Sequence, residues 1–422
     1  MIKYAVNDRL KPLPMFMYGL QWLLITIPII LIISMIIGVY QFAHPREQIF
    51  YTQKLFGLMG GGLIVQILWG HRLPVVIGPA AVLLIGILSV QASQLPEAYT
   101  SILIGGALLT LISISKYLRK IQQIFSTRIV ITILALIGFT LIPSIIKLIF
   151  GGPEEPIQML CMSIILTFSI VGANRFLKGI WKSTVVFWAL ILGTGVYFIL
   201  YGLPEIKMHA FPPGKLSLFI PDIKFDSGIL ISFLFCYIAL FINEIGSIQA
   251  VGKALSADNV ESSVVKGFRI TGLLNIVSGC MGIVGPVDFS LSPGVIMATG
   301  CASRYALLPT GVGLILCAFS PRVVYLFSLI PPPVTGIVLI YLMTSQLAAT
   351  CEMGRTEKAL KSFEDCIIVS LPIITALIVA FMPHNAVARI PLFLRPILGN
   401  GFVMGVFSVL ILEHIVFRKK KR

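Results

Sequence analysis

The sequence has few charged residues, and acidic residues are the scarcest of them. Of its 422 residues, 17 are Asp or Glu and 32 are Lys or Arg, and 57% are hydrophobic. Charged residues make up 12% of the chain, against about 25% in soluble globular domains. The mean hydropathy of +0.98 agrees with this deficit. The composition excludes a soluble protein and predicts an integral membrane protein.

The motifs of enzymes and metal sites are also missing. The sequence contains no G-x-S-x-G, no H-E-x-x-H and no Walker loop, and its seven cysteines form neither a C-x-x-C pair nor a Cys/His cluster. The net charge of +15 is spread over short loops, so there is no basic patch for nucleic acid. We therefore predict a transporter rather than an enzyme, with no metal, cofactor, disulfide or nucleic-acid partner.

Long apolar runs are the main feature that the sequence does have. The first, 15–40, can cross a bilayer core of about 30 Å and is too long for a cleaved signal peptide. Similar runs follow along the whole chain and predict an all-α integral membrane protein with about fourteen segments. These are 15–40, 52–69, 73–90, 98–115, 129–150, 157–173, 183–201, 229–247, 268–282, 283–302, 305–328, 332–350, 366–382 and 399–417.

Basic residues mark one side of the predicted membrane topology. With both termini inside, the cytoplasmic loops contain most of the 32 Lys and Arg residues, as the positive-inside rule requires. The basic tail 418–422 would lie against anionic lipid headgroups. The long loop on the other side either folds over an entrance or is a plain connector. We predict a multi-pass protein of a bacterial inner membrane with cytoplasmic termini.

Two predicted segments, 73–81 and 282–294, are interrupted by proline and glycine. Lipid cannot satisfy the backbone groups that these residues free, so each stretch must be buried in protein or line a cavity, as at transporter binding sites. Gly78 and Gly285, each followed by proline, lie 207 positions apart and predict two related halves. Because each half has seven segments, an odd number, the second half must be inverted. Each interrupted stretch is expected to lead into a half-helix.

Glu244 and Asp288 are the acidic residues that lie clearly within predicted spans, where ionisable groups usually face a cavity. Glu244 either binds a ligand or a proton, or pairs with a helix end. Asp288 either accepts a hydrogen bond from a ligand or caps the following half-helix. Phe289, with Ser290 and Ser292, offers an aromatic face and hydroxyls to a flat heterocycle, although an aromatic residue in an apolar run also suits packing.

Several stretches spread along the chain resemble the nucleobase-ascorbate transporter family, whose bacterial members include uracil and xanthine permeases. The resemblance implies an inverted seven-plus-seven repeat with a core domain and a gate domain, and a homodimer formed through the gate. The matching stretches are 7–9 (Asn-Asp-Arg), 19–21 (Gly-Leu-Gln), 74–78, 272–299, 330–336 and 396–401. The implied domains are core 1–120 and 229–328, gate 121–205 and 329–422, and an outer loop 206–228.

The chain departs from this family at its chemical positions. Asn243 stands at the family's eighth-segment glutamate, Leu291 at its signature acid or glutamine, and Ser292 at its signature asparagine. Glu244 and Asp288 lie beside these positions and are our candidates for carrying a coupled proton. The predicted substrate site comprises Gln21, Gly78, Ala80, Asn243, Glu244, Asp288, Phe289, Ser290, Leu291 and Ser292.

Three functional hypotheses follow. The first is secondary transport of a nucleobase-like heterocycle such as uracil, xanthine or urate, with or without a coupled proton. The second retains the fold and moves a small anion such as sulfate, bicarbonate or a dicarboxylate, because helix N-termini at the interrupted segments favour negative charge. The third is a membrane sensor that binds a ligand and does not transport it.

Overall fold

The computed structural model describes residues 3–114, 126–203, 222–255, 257, 259–289, 292–391 and 394–417. Within these residues the chain is largely helical, with two short strands. In chain order the elements are α1 (Pro12–Gln41), α2 (Pro45–Leu68), β1 (Ile77–Pro79), α3 (Ala81–Leu88), α4 (Leu95–Ile114), α5 (Thr127–Thr140), α6 (Ile142–Phe150), α7 (Pro156–Phe176), α8 (Gly179–Ser183), α9 (Val185–Tyr201), α10 (Ser227–Ala254), α11 (Val260–Met281), β2 (Pro286–Asp288), α12 (Ser292–Thr299), α13 (Leu308–Ala318), α14 (Pro321–Ser328), α15 (Pro332–Thr356), α16 (Phe363–Ala380), α17 (His384–Ala388), α18 (Arg395–Leu398) and α19 (Gly401–Ile411).

The predicted multi-pass architecture is confirmed. Among the described residues, eight helical stretches are long and apolar enough to cross a membrane, and α9 and α19 are shorter apolar helices. The run predicted at 305–328 is bent by 89° between α13 and α14, where Pro321 begins the second helix. Proline suits the first turn of a helix, and Pro321 occupies that position in α14, so one apolar run becomes two helices.

The two interrupted segments meet as an antiparallel strand pair, each strand followed by a half-helix. Gly78 lies opposite Val287 in the register of β1 and β2. At one end Ala80 N donates to Gly285 O at 2.9 Å, and at the other Phe289 N donates to Val76 O at 2.9 Å. The backbone groups that the interruptions free are thus satisfied within the protein, as required at membrane depth.

Two helix crossings reproduce the inverted repeat in packing. The α4 helix packs against α11, and α2 packs against α13. A Cβ atom on Gly106 would lie 2.7 Å from Gly272 O, and one on Gly60 would lie 2.6 Å from Gly311 O. Each crossing therefore brings two helix backbones together at a pair of glycines, which small residues make possible in membrane proteins. Each crossing joins a helix of one half to a helix of the other.

A second packing group consists of α5, α15, α16 and α19, with α7 and α9 against α15. The Arg128 guanidinium at the start of α5 donates to the carboxylates of Asp365 on α16 and Glu413, which follows α19, the latter at 2.7 Å. This ion triad ties three helices of the second group together at one end. The strand pair lies within the first group, formed by α1 to α4 and α10 to α13.

Substitutions at two neighbouring glycines on α2 test the crossing of α2 with α13. Gly60→Ala is expected to lower the free energy of unfolding by about 1–3 kcal/mol, because its methyl group would collide with the backbone of α13. Gly61→Ala is the matched control, since no atom lies within 4 Å of a Cβ there, and it should be neutral or slightly stabilising. Unfolding of the detergent-purified chain measures both. Equal effects of the two substitutions would contradict this packing.

Candidate substrate site

A cavity of about 350 Å³ lies between the strand pair and α15, so it separates the two packing groups. This volume falls within the range of about 300–1,000 Å³ that is typical of small-molecule pockets. Its wall is mostly apolar, with a few polar side chains. The lining residues are Ile29, Ile32, Ile33, Pro79, Ala81, Val82, Leu84, Ile137, Leu141, Asn243, Val287, Phe289, Leu339, Leu342, Met343, Ser345, Gln346 and Ala349.

Phe289 forms part of the cavity wall because of the glycine beneath it. A Cβ atom on Gly78 would lie 2.3 Å from Phe289 Cε2, so the aromatic ring packs directly on the backbone of β1. Gly78 and Ala80 are both buried and are not among the lining residues. Their role in the site is therefore to support the wall, with Ala80 N bonded to Gly285 O.

Asn243 on α10 contributes a polar side chain to the cavity wall. Its Nδ2 atom lies 3.4 Å from Asp288 O, a long hydrogen bond, while the Ser247 hydroxyl donates to the same carbonyl at 2.9 Å. Because Ser247 already satisfies this carbonyl, the Asn243 amide can exchange its weak bond for one to a ligand. Asn243 thus offers both a donor and an acceptor at the cavity wall.

Glu244, the next residue on α10, points away from the cavity. It is fully buried, and its Oε1 accepts from the Thr271 hydroxyl at 2.5 Å while its Oε2 accepts from Asp288 N at 2.9 Å. One step along a helix turns a side chain by about 100°, which accounts for the different directions of the two neighbours. The alternative that Glu244 pairs with a helix end is wrong, since its carboxylate binds the strand β2 from behind.

Asp288 does not cap the half-helix α12. Neither of its carboxylate oxygens has a hydrogen-bond partner among the described residues, and its side chain is completely buried. Ser292 instead closes this turn, because its hydroxyl accepts from Val76 N at 3.1 Å and donates to Phe289 O at 3.0 Å. Ser292 is therefore committed to backbone groups and is not among the cavity-lining residues.

His71, a residue that sequence analysis did not single out, lies beside Asp288. His71 Nε2 lies 3.6 Å from Asp288 Oδ1, and both side chains are fully buried. His71 precedes the first interrupted segment and falls between two predicted spans, so periodicity gave it no weight. Its signal in the sequence is position alone, directly before the stretch that crosses Asp288.

The other predicted site residues separate into two groups. Ser290 and Leu291 lie outside the described residues. Gln21 is buried on α1, both atoms of its amide have no partner among the described residues, and it is not in the cavity wall. Of the ten predicted residues, Asn243 and Phe289 line the cavity, and substrate contact by any of them stays a prediction.

Comparison with known proteins shows to which family the chain belongs. The family model Xan_ur_permease, described as "Permease family", matches residues 14–385. The chain belongs to this permease family. This permease is 26% identical over 314 residues to a putative purine permease of Clostridium perfringens, covering 72% of this chain and 68% of that one. It is 24% identical over 394 residues to the xanthine permease of Bacillus subtilis, covering 89% and 88%. The family recognised from the sequence is thereby confirmed.

Solved structures show the fold of this permease. The transmembrane domain of the cyanobacterial bicarbonate transporter BicA matches with a TM-score of 0.62 at 16% identity, covering 90% of this chain and 98% of that domain. Murine Slc26a9, an anion transporter in its inward-facing state, matches with a TM-score of 0.64 at 14% identity, covering 100% of this chain and 70% of that one. These matches confirm the predicted fold class, a helical membrane protein of the inverted-repeat type, while the predicted number of about fourteen segments stays a prediction.

The contact between Gly78 and Phe289 can be tested by coupling two substitutions. Gly78→Ala is expected to displace the ring and lower the free energy of unfolding by about 1–3 kcal/mol. In a Phe289→Ala background the added methyl meets space, so the same substitution should cost about 1 kcal/mol less. Unfolding of the four variants of this cycle measures the difference. Strict additivity would show that the ring does not rest on Gly78.

Proposed function

We propose that this permease carries a purine-like oxo base, with xanthine and uric acid as the leading candidates and uracil as a smaller alternative, across a bacterial inner membrane. The observation that carries the proposal is the cavity beside the strand pair, which combines an aromatic face from Phe289 with an amide from Asn243. A planar heterocycle with carbonyl and N–H groups along its edge presents the complementary surfaces. Two relatives of this chain, a xanthine permease and a uric acid permease of Bacillus subtilis, support the same class of substrate.

Recognition would use three polar side chains and one backbone feature. Asn243 lies on one wall, and Ser345 and Gln346 of α15 lie on the opposite wall. The first residues of α3, Ala81 and Val82, also line the cavity, and the N–H groups of a first helical turn suit a carbonyl oxygen. Polar groups on both walls would bind the edges of the base, while Phe289 stacks on its face.

A small anion fits this cavity less well. No Lys or Arg is among the described lining residues, and most of the wall is apolar. A small hydrated anion would have to exchange its water shell for apolar side chains and one helix terminus, which is costly. The fold likeness to anion transporters does not carry over their substrates. Sulfate and bicarbonate therefore serve as comparison substrates in the test.

We further propose that transport proceeds by movement of a core domain (1–120 and 229–328) against a gate domain (121–205 and 329–422). The cavity lies between these groups, which supports alternating access across it. Asn400 of the gate domain contacts the core domain at one end, because its Nδ2 lies 3.1 Å from Ser89 Oγ and 3.3 Å from Ser232 Oγ.

Cytoplasmic termini, supported by the loop charges, and a homodimer through the gate complete the proposal. Proton coupling through Glu244 or Asp288 is part of it.

Uptake by bacterial cells that lack their own purine permeases tests the substrate class. Cells expressing the full chain are expected to take up radiolabelled xanthine or uric acid saturably, and a protonophore should abolish accumulation above the outside concentration. Asn243→Ala should weaken the apparent affinity about two- to tenfold, the worth of one hydrogen bond. Phe289→Ala should weaken it by about tenfold through lost stacking.

Ser370→Ala is the matched control, because its hydroxyl bonds Cys366 O on an exposed face of α16 and should leave uptake unchanged. Flux of sulfate or bicarbonate without any flux of a base would refute the proposal in favour of an anion transporter. Tight binding of a base by purified protein without flux in proteoliposomes would identify a sensor instead.

A further inference from the structure

The inference concerns a buried cluster on the side of the strand pair that faces away from the cavity. It comprises His71, Glu244 and Asp288, each with a fully buried side chain. Two carboxyl groups in such a place cannot both ionise at low cost, because burial removes their hydration and their charges repel. One proton must therefore be shared by the pair, and hydrogen-bond polarity decides which carboxyl binds it.

Glu244 is surrounded by donors. Gln66 has its amide orientation fixed by two backbone groups, since Oε1 accepts from His71 N at 3.3 Å and Nε2 donates to Gly267 O at 3.1 Å. Gln66 Nε2 also donates to the Thr271 hydroxyl at 2.8 Å, so that hydroxyl must give its own hydrogen to Glu244 Oε1. Both Glu244 oxygens thus accept hydrogen bonds, which favours the ionised form of this residue.

The carboxyl group of Asp288, unlike that of Glu244, has no hydrogen-bond donors around it in the part of the chain that the structure describes. No donor from another described residue lies within hydrogen-bond distance of either of its oxygens. Its backbone N donates to Glu244 Oε2 at 2.9 Å, which brings the two carboxyl groups close together, so the charge of Glu244 opposes a second charge on Asp288. A protonated Asp288 therefore supplies the hydrogen that its own environment lacks, and an ionised Asp288 would be a buried charge without a partner.

His71 is placed to donate a hydrogen bond to the ionised form of Asp288. Its Nδ1 accepts from Leu73 N at 3.0 Å, so the single hydrogen of the neutral ring must be on Nε2, which faces Asp288 at 3.6 Å. That separation is too long for a hydrogen bond and closes with a shift of less than about 1 Å. A second proton on His71 is opposed first by burial and then by the positive charge of Arg304, and the Nδ1 that would bind it already accepts from Leu73 N.

We infer that Asp288 is the proton-binding residue of this permease and that His71 is a positioning residue, whose Nε2–H replaces the departing proton as the partner of the Asp288 carboxylate. On release, the O–H bond of Asp288 breaks and the proton leaves to water, while His71 remains neutral throughout. Glu244 stays ionised in both states. Protonation at Asp288 stands without reference to the substrate, whereas its use in coupling rests on the proposed function.

The charged surroundings of Asp288 are few among the described residues. Glu244 on α10 is the charged group that acts on Asp288, and Arg304 is the cation that acts on His71. Arg304 is itself bound to Ile67 O at 3.1 Å and to the Tyr305 hydroxyl at 3.0 Å. Thr271 on α11 faces the cluster as a neutral group. The proton balance of the cluster therefore depends on three side chains.

Thermal unfolding of the full purified chain as a function of pH, without substrate, tests the inference. Above about pH 4 an exposed carboxyl in the unfolded chain is ionised, whereas the folded chain retains one proton, so stability must fall as pH rises. The slope for wild type should correspond to about one bound proton. Asp288→Asn should remove this slope. If Glu244→Gln removes it and Asp288→Asn leaves it, the proton is on Glu244 and the inference is wrong.

His71 has its own readout, which also applies if Asp288→Asn fails to fold. His71→Phe removes the donor to ionised Asp288, so Asp288 should retain its proton to higher pH. The pH at which stability stops falling should therefore rise by about one pH unit or more. His71→Gln keeps a donor and should shift it less. Gln53→Leu is the control, because it removes a buried bond to Ala318 O at 2.7 Å and should lower the melting temperature equally at every pH. Superimposable His71→Phe and wild-type profiles would overturn the role of His71.

Xanthine counterflow in proteoliposomes separates this inference from the proposed function. Asp288→Asn should retain exchange of xanthine for xanthine and lose accumulation driven by a pH gradient. Absence of xanthine flux in wild type, with the pH profiles as expected, would refute the substrate and leave the proton site standing. Gradient-driven accumulation by Asp288→Asn at the wild-type level would refute coupling through Asp288.

Discussion

The pairing of β1 with β2 is the constraint on which the rest of the structure depends. Extended backbone inside a membrane has no water to satisfy it, so each interrupted segment needs the other as its hydrogen-bonding partner. The bonds from Ala80 N to Gly285 O and from Phe289 N to Val76 O close this pair at both ends. The two half-helices can begin inside the protein because this pairing satisfies the backbone that precedes them. The helices around the pair are in turn drawn close enough to require glycine at their crossings.

The strand pair also divides the polar groups into two layers. On one side lie Asn243 and Phe289, beside a cavity of about 350 Å³. On the other side lie Glu244 and Asp288, which are fully buried and are not among the residues that line the cavity. A carboxylate in the cavity would repel an anionic substrate and would cost free energy in an apolar wall, whereas behind the strands it can be bound by fixed donors. Under the proposed function, proton binding and substrate recognition would thus take place on opposite sides of the strand pair.

Much of this fold was predictable, because its largest determinants are local in sequence. Apolar runs long enough to span a membrane predicted the helices. Paired Gly-Pro steps at Gly78 and Gly285 predicted the interrupted segments and the repeat. The bend at Pro321 was missed because hydropathy continues unchanged through it. The direction of a side chain was less predictable, since Asn243 and Glu244 are adjacent and only the packing of α10 decides which faces the cavity. His71 could not be predicted, because its importance comes from Asp288, which is distant in sequence.

A single peptide unit connects the two layers. Asp288 N donates to Glu244 behind the strand, and Asp288 O accepts from Ser247 and, weakly, from Asn243, whose side chain lines the cavity. Any shift of the Asp288 side chain toward His71 must act on this peptide, because its backbone is bonded on both sides. The weakest of these bonds, at 3.4 Å, is the one to Asn243, so it is the bond that yields first. In the proposed mechanism, substrate binding at Asn243 and proton release at Asp288 would therefore compete for the position of the same carbonyl, and this shared backbone group would provide a direct physical route for coupling.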